Sequence, residues 1–292
     1  MIAMAGPNLP HELLLAAGRH AGPLPFELER PTSRASQWVE SKFAPWTPLA
    51  VEAWAEGAYD HLDQVLFSRA EDSSQRLYYY LCELQRRGLI AGPEPLILDI
   101  AKIPRAGSLA RTTESLRTLA NDLALDDSAI EAAIAASNAR RAAAAPPSRG
   151  KVCLLAGTAP PDHRLHEAVF AAGFVPVGPT LAEDWMDLGD PVEEGTGDPL
   201  AAIARQLHAR ARGPRSFADP AAVLAEEIER VGAQAVVLWR IEEDEAQTWH
   251  LPMERRVLET AGIPALVLTR RDWLAQDGAA EEIGKFLEGV TA

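Results

Sequence analysis

The side chains best suited to chemistry lie in a few short segments. His11 follows Asn8 near the start, Ser68, Arg69 and Glu71 end an apolar run, and Glu243 sits in the acidic stretch Glu242-Glu243-Asp244-Glu245. A carboxylate and an imidazole are the common partners in general acid–base catalysis. Carboxylates with a histidine can also hold a hard divalent metal. His11, Glu71 and Glu243 are therefore the candidate catalytic groups, with Asn8, Ser68, Arg69, Arg205 and Arg210 as candidate substrate-binding groups. The plain alternative is a set of solvated turn residues, since turns favour short polar side chains.

The element that positions Ser68 to Glu71 is Leu62–Gly88. Val65, Leu66 and Phe67 form an apolar run of the size that a buried parallel strand needs. The polar turn after it leads to a helix capped by Asp72 or Ser73, whose Leu77, Tyr80, Leu81 and Leu84 recur on one face. Gly88 stands where a C-terminal glycine ends a helix. The turn then falls at the carboxyl end of a strand, where open α/β sheets place ligands.

The rest of the chain alternates in the same way. Pro10-His11-Glu12 starts a short helix, and Leu24–Leu28 is the expected first strand. Trp38, Phe43, Trp46 and Trp54 anchor a helical connector; an aromatic platform for a nucleotide base is the sharper reading. Glu94–Lys102 is a strand, followed by helices over Ser108–Ala124 and Ser128–Ala145. Ala142–Gly150, rich in alanine and proline, reads as a linker. Beyond it come strands at Lys151–Gly157, Phe174–Val177, Ala235–Trp239 and Ala265–Thr269, with helices between them. Pro179–Pro199 reads as a mobile flap or partner surface. The expected fold is α/β: two Rossmann-like parallel-sheet domains with additional helices, over 1–145 and 151–292.

Bulk properties narrow the function classes. A net charge of −14 over 292 residues argues against nucleic-acid and anionic-membrane surfaces. No run of about 18 apolar residues predicts a membrane span, and the N-terminus lacks a signal-peptide pattern, so the cytoplasm is the expected compartment. The two cysteines, Cys82 in a helix and Cys153 in a strand, read as small buried hydrophobes without metal-site spacing. No dinucleotide fingerprint, P-loop or nucleophile elbow is present.

Several short motifs together resemble the 2-hydroxyacyl-CoA dehydratase and benzoyl-CoA reductase subunit family. They are Pro10-x-Glu12-Leu13 running into Ala16-Ala17-Gly18, the strand–turn–helix around Glu71-Asp72, Pro104-Arg105, Asn138-x-x-Arg141, and Gly262-Ile263-Pro264 before the last strand. The resemblance implies paired subunits that use cysteine-held iron–sulfur clusters to pass an electron to a CoA thioester. It also places the cluster cysteines at Gly6, Glu71 and Glu243, where this chain has no thiol. Soft iron–sulfide cores need thiolates, so this chain is expected to bind no cofactor itself. The resemblance then implies a homologous cluster-bearing partner, with the iron–sulfur cluster on that partner, and a CoA thioester as ligand.

The basic stretch Arg205, His208, Arg210, Arg212 and Arg215 suits either a solvated helix end or the phosphates of a CoA tail. Two other readings stand beside the subunit: a repurposed cluster-independent enzyme with a carboxylate/His site in the vacated cleft, and a noncatalytic acyl-CoA-binding protein. Gly6, Glu71 and Glu243 are expected to converge in a cleft at the carboxyl ends of the strands.

Overall fold

The computed structural model describes residues 1–101, 103, 105–143, 150–210 and 218–291. The chain opens with β1 (Ile2–Ala5), α1 (His11–Ala16), β2 (His20–Pro23), α2 (Trp46–Ala55), β3 (Gln64–Ser68), α3 (Asp72–Arg86) and β4 (Glu94–Leu98). It continues through α4 (Ser108–Asp122), α5 (Asp127–Ala143), β5 (Val152–Gly157), α6 (Arg164–Ala171), β6 (Val175–Val177), α7 (Leu181–Trp185) and α8 (Pro199–Ala209). The last elements are α9 (Pro220–Val231), β7 (Ala235–Ile241), α10 (Leu251–Ala261), β8 (Ala265–Arg271) and α11 (Ala279–Thr291).

Two four-stranded parallel sheets result, with orders β2-β1-β3-β4 and β6-β5-β7-β8. The expected α/β fold of two Rossmann-like sheets with extra helices is the observed one. The inner strands are mostly apolar because both faces are covered. All of Ile2–Ala5 is buried, as is all of Ala235–Ile241.

The first strand differs from expectation. It is Ile2–Ala5, and the next is His20–Pro23; Leu24–Leu28 is not a strand. Only Ile2 of the first strand's four residues is a strong strand former, and Ala3, Met4 and Ala5 carry too little β-propensity to be read as a strand before the pairing is known. Its neighbours decide it, Ile2 to Ala5 registering with Gln64 to Phe67.

Two compact units divide the chain, Met1–Ala144 with Trp185–Phe217, and Ala145–Asp184 with Ala218–Ala292. The chain thus enters the second unit, returns to the first at Trp185, and leaves again. Trp185 is 2% exposed and packs edge-on against Trp46 (centroids 4.9 Å) and Phe26 (6.3 Å). Phe43, Trp46 and Trp54 are buried and anchor the connector to the core, whereas Trp38 is partly exposed. Ile203, Ala204 and Leu207 of α8 join Leu9, Leu13, Leu116 and Ile134 in the first core. Leu154, Val236, Leu238, Leu224, Ile228 and Leu258 form the core of the second.

The Pro179–Pro199 segment is not a free flap. Its start forms α7, and its later part is tied to the first unit by side chains of α5 and α8. Asn138 donates to Val192 O (2.7 Å) and accepts from Val192 N (3.0 Å), while Gln206 donates to the carbonyls of Leu188 and Asp190. The polar, glycine-rich composition that suggested mobility instead exposes backbone carbonyls for these donors. Among the described residues no helix is long and apolar enough to cross a membrane.

Candidate functional site

In the first sheet the strand order changes direction between β1 and β3, the place where open parallel sheets bind ligands. Gly6 leaves β1 with φ +104°, a conformation that side chains rarely adopt. A Cβ there would lie 2.7 Å from Ser68 Cβ and 2.7 Å from Ser74 Oγ, so the position has no room for a side chain. Ser74 Oγ donates to Ala5 O at 2.5 Å, stitching the first turn of α3 to the end of β1.

Glu71, not Asp72 or Ser73, caps α3. Its backbone is extended, and its carboxylate accepts from Ser73 N (2.8 Å) and Ser74 N (2.6 Å). Burial pushes its pKa up to about 7, against the pull of those two N–H groups. Gly6 and Glu71 are thus brought together, with Ser74 bonded to both sides of the crevice. Ser68 is 1% exposed and its Oγ accepts from Ala70 N at 3.1 Å. Arg69 turns to Asp99 at the end of the neighbouring strand (2.5 Å). Asn8 is buried at φ 61° in the turn after β1.

His11 is 2% exposed. Its Nδ1 lies 3.2 Å from His20 Nε2, and the rings stack. Burial, together with the positive charges of Arg210 and Arg141 and the His20 ring, lowers its pKa to about 3, with Asp187 opposing. His11 is therefore a neutral imidazole at ordinary pH and a poor general base, which departs from the acid–base role read from the sequence.

Around it stands a dense polar cluster. Glu12 and Arg141, both almost wholly buried, pair at 2.7 Å. Arg141 also donates to Leu188 O, Gly189 O and Asn138 Oδ1. Asn138 and Arg141 share a helix face because they are three residues apart. Arg210 pairs with Asp187 at 2.5 Å with its side chain 6% exposed, and Arg205 pairs with Glu193 near the surface. Arg212 and Arg215 lie outside the described residues, as do Lys102 and Pro104.

The second unit repeats the arrangement at its own point of reversal. Gly157 leaves β5 with φ +102°, and a Cβ there would lie 2.1 Å from Trp239 O. Thr158 N donates to that carbonyl at 2.7 Å, and Thr158 Oγ1 donates to Asp244 Oδ2 at 2.6 Å. Arg240 and Glu254 form a buried pair at 2.5 Å. Glu243 belongs to this unit and lies exposed just past β7. Its carboxyl is held above the usual range by what burial it has and by Glu242, Asp272 and Asp244.

Sequence reasoning missed two histidine groups. His20 carries no pattern signal and is recognised only by its contact with His11. His163, His166 and Glu183 meet near the end of β6, with His166 Nε2 on Gly178 O at 2.8 Å and His163 3.7 Å from Glu183. Among the described residues no group of three or more His, Cys, Asp or Glu could hold a metal ion.

An iron–sulfur cluster does not fit the residues of this chain. Gly6 cannot be replaced by a side chain without moving Ser68 and Ser74, and Glu71 offers a hard oxygen already bonded to a helix start. Cys82 and Cys153 lie in different units, and burial raises both thiols, Cys153 to about 12. No protein-family model matches the sequence, and no curated protein matches it.

Proposed function

We propose that this chain is a cluster-free subunit, resembling those of 2-hydroxyacyl-CoA dehydratases and benzoyl-CoA reductases, that supports a homologous cluster-bearing partner acting on CoA thioesters. The observation that carries this reading is the meeting of Gly6 and Glu71 at the crevice of the first sheet. Both are positions where the resemblance puts a cluster cysteine, they are far apart in sequence, and neither retains a thiol. The pairing of Glu12 with Arg141, which also donates to Asn138, adds support, since it joins two motifs on which the resemblance was drawn. The partner supplies the reducing cluster, and this chain supplies scaffold and thioester contacts.

One observation favours a second reading, a cluster-independent enzyme. A carboxyl that titrates at about 7 is suited to proton transfer at neutral pH, and Glu71 is such a group.

Native mass spectrometry of the protein purified without oxygen from its own source tests the choice. A stoichiometric complex with a cysteine-bearing homologue is the expected result. A clean monomer or homo-oligomer overturns the subunit reading and turns attention to Glu71.

A further inference from the structure

Hydrogen bonds in the first unit assign the protons of the His11–His20 pair. Gly22 N donates to His20 Nδ1 at 3.2 Å, so that nitrogen is bare and the neutral ring carries its proton on Nε2. His20 Nε2 lies 3.2 Å from His11 Nδ1, which must accept. His11 is then the Nε2–H tautomer. Its Nε2 is buried and has no hydrogen-bond partner. A buried donor left unpaired costs about 1–3 kcal/mol, and native proteins keep few such groups.

We propose that His11 is the hydrogen-bond donor of a ligand site in the first unit, and that it takes a neutral carbonyl oxygen. The donor excludes ligand groups that are themselves only donors. A neutral oxygen fits better than an anion, because each guanidinium near His11 already pairs with a carboxylate: Arg210 with Asp187 and Arg141 with Glu12. Neither guanidinium is left free to pair with a carboxylate or phosphate of a ligand. The same guanidiniums and His20 disfavour an imidazolium, so the ring stays a neutral donor. A neutral imidazole N–H can polarise a carbonyl without giving up its proton. His20 does not reach the ligand; it is a positioning residue that fixes the tautomer of His11. That the carbonyl belongs to a thioester rests on the function proposed above; the donor does not.

Long-range proton–nitrogen spectra of the full chain labelled with nitrogen-15 histidine test this, with His11→Gln used to assign the resonances. The expected result is a His11 ring that stays the Nε2–H tautomer from about pH 5 to 8. Its Nε2–H resonance shifts on adding N-methylacetamide or acetyl-CoA, and stays put with CoA, which lacks the acyl carbonyl. His11→Gln, whose amide nitrogen can stand near Nε2, keeps probe affinity within a few-fold. His11→Phe weakens it about tenfold, the worth of one hydrogen bond, in a chain that still unfolds cooperatively.

An Nδ1–H tautomer, an imidazolium in that pH range, or a His11 signal unmoved by both carbonyl probes overturns the proposal. Two further outcomes separate it from the CoA reading. Binding of CoA and acetyl-CoA alike with His11 unmoved sinks the donor and spares the CoA reading. A shift with N-methylacetamide, but no binding of either CoA compound, keeps the donor and sinks the CoA reading.

Discussion

The two units solve one topological problem with different chemistry. Each has its first strand inside the sheet, and each leaves that strand through a glycine at φ near +100° facing the next inner strand. In the first unit the crossing is closed by a helix cap: Glu71 binds the start of α3, and Ser74 ties that start to Ala5. In the second, β7 runs on to Ile241, and a side chain from across the crevice, Thr158, holds Asp244. The buried ion pairs differ likewise. Arg141 binds Glu12 and several loop oxygens, whereas Arg240 Nε and Glu254 Oε2 have no hydrogen-bond partner. The first unit uses its polar groups to fasten a distant return of the chain. The second uses them within one strand and its helix.

The largest effects test the ion pairs. Arg141→Met and Arg240→Met each leave a buried carboxylate alone and should cost about 3–5 kcal/mol in urea unfolding. The double changes separate them. Arg240→Met with Glu254→Leu should recover most of the loss, since unpaired atoms leave with the pair. Arg141→Met with Glu12→Leu should stay destabilised, because the carbonyls of Leu188 and Gly189 lose their donor. Equal recovery in both would break the comparison.

The glycines come next. Gly157→Ala drives a methyl to 2.1 Å from a backbone carbonyl and should cost about 3 kcal/mol or more, whereas Gly6→Ala meets Ser68 Cβ and Ser74 Oγ at 2.7 Å and should cost about 1–3 kcal/mol. A reversed order in thermal melts would show the first crevice to be the more rigid one.

The Glu71 cap gives the first unit a pH signature of its own. Its folded pKa of about 7 lies above the ordinary 4.5, so the folded state holds the proton longer. Its contribution to stability is full below pH 4.5 and is lost as pH rises through about 7. Between those limits the protein should lose about 3 kcal/mol, and Glu71→Gln should flatten that slope. A slope unchanged in the variant would assign the effect to other groups. Thr158→Val, which removes one side-chain hydrogen bond, should cost only about 1 kcal/mol.

Much of the fold was legible because periodicity survives translation into structure. Leu77, Leu81 and Leu84 do face the core of the first unit, and α9 and α10 run over the spans that their apolar faces and bounding residues mark out. Gly88 has the left-handed φ that its place after a helix requires. The site was legible only in part. The turn at Ser68–Glu71 announces itself as a charged break after an apolar run. The same turn does not say which acid caps the helix, because Glu71, Asp72 and Ser73 all can. Geometry chooses Glu71, whose longer side chain reaches back from an extended backbone.

By itself, the sequence determined the alternation of strands and helices, the two parallel sheets, and the lack of thiols at Gly6, Glu71 and Glu243. These follow from local side-chain type and spacing. Only the tertiary structure decided that Ile2–Ala5 is an inner strand, that Trp185 and α8 belong to the first core, and that Arg210 faces Asp187. It also decided that His11 is buried against His20 with its pKa lowered. The reason is physical: burial and charge at a side chain come from residues far away in sequence, and no local pattern encodes which of them will arrive.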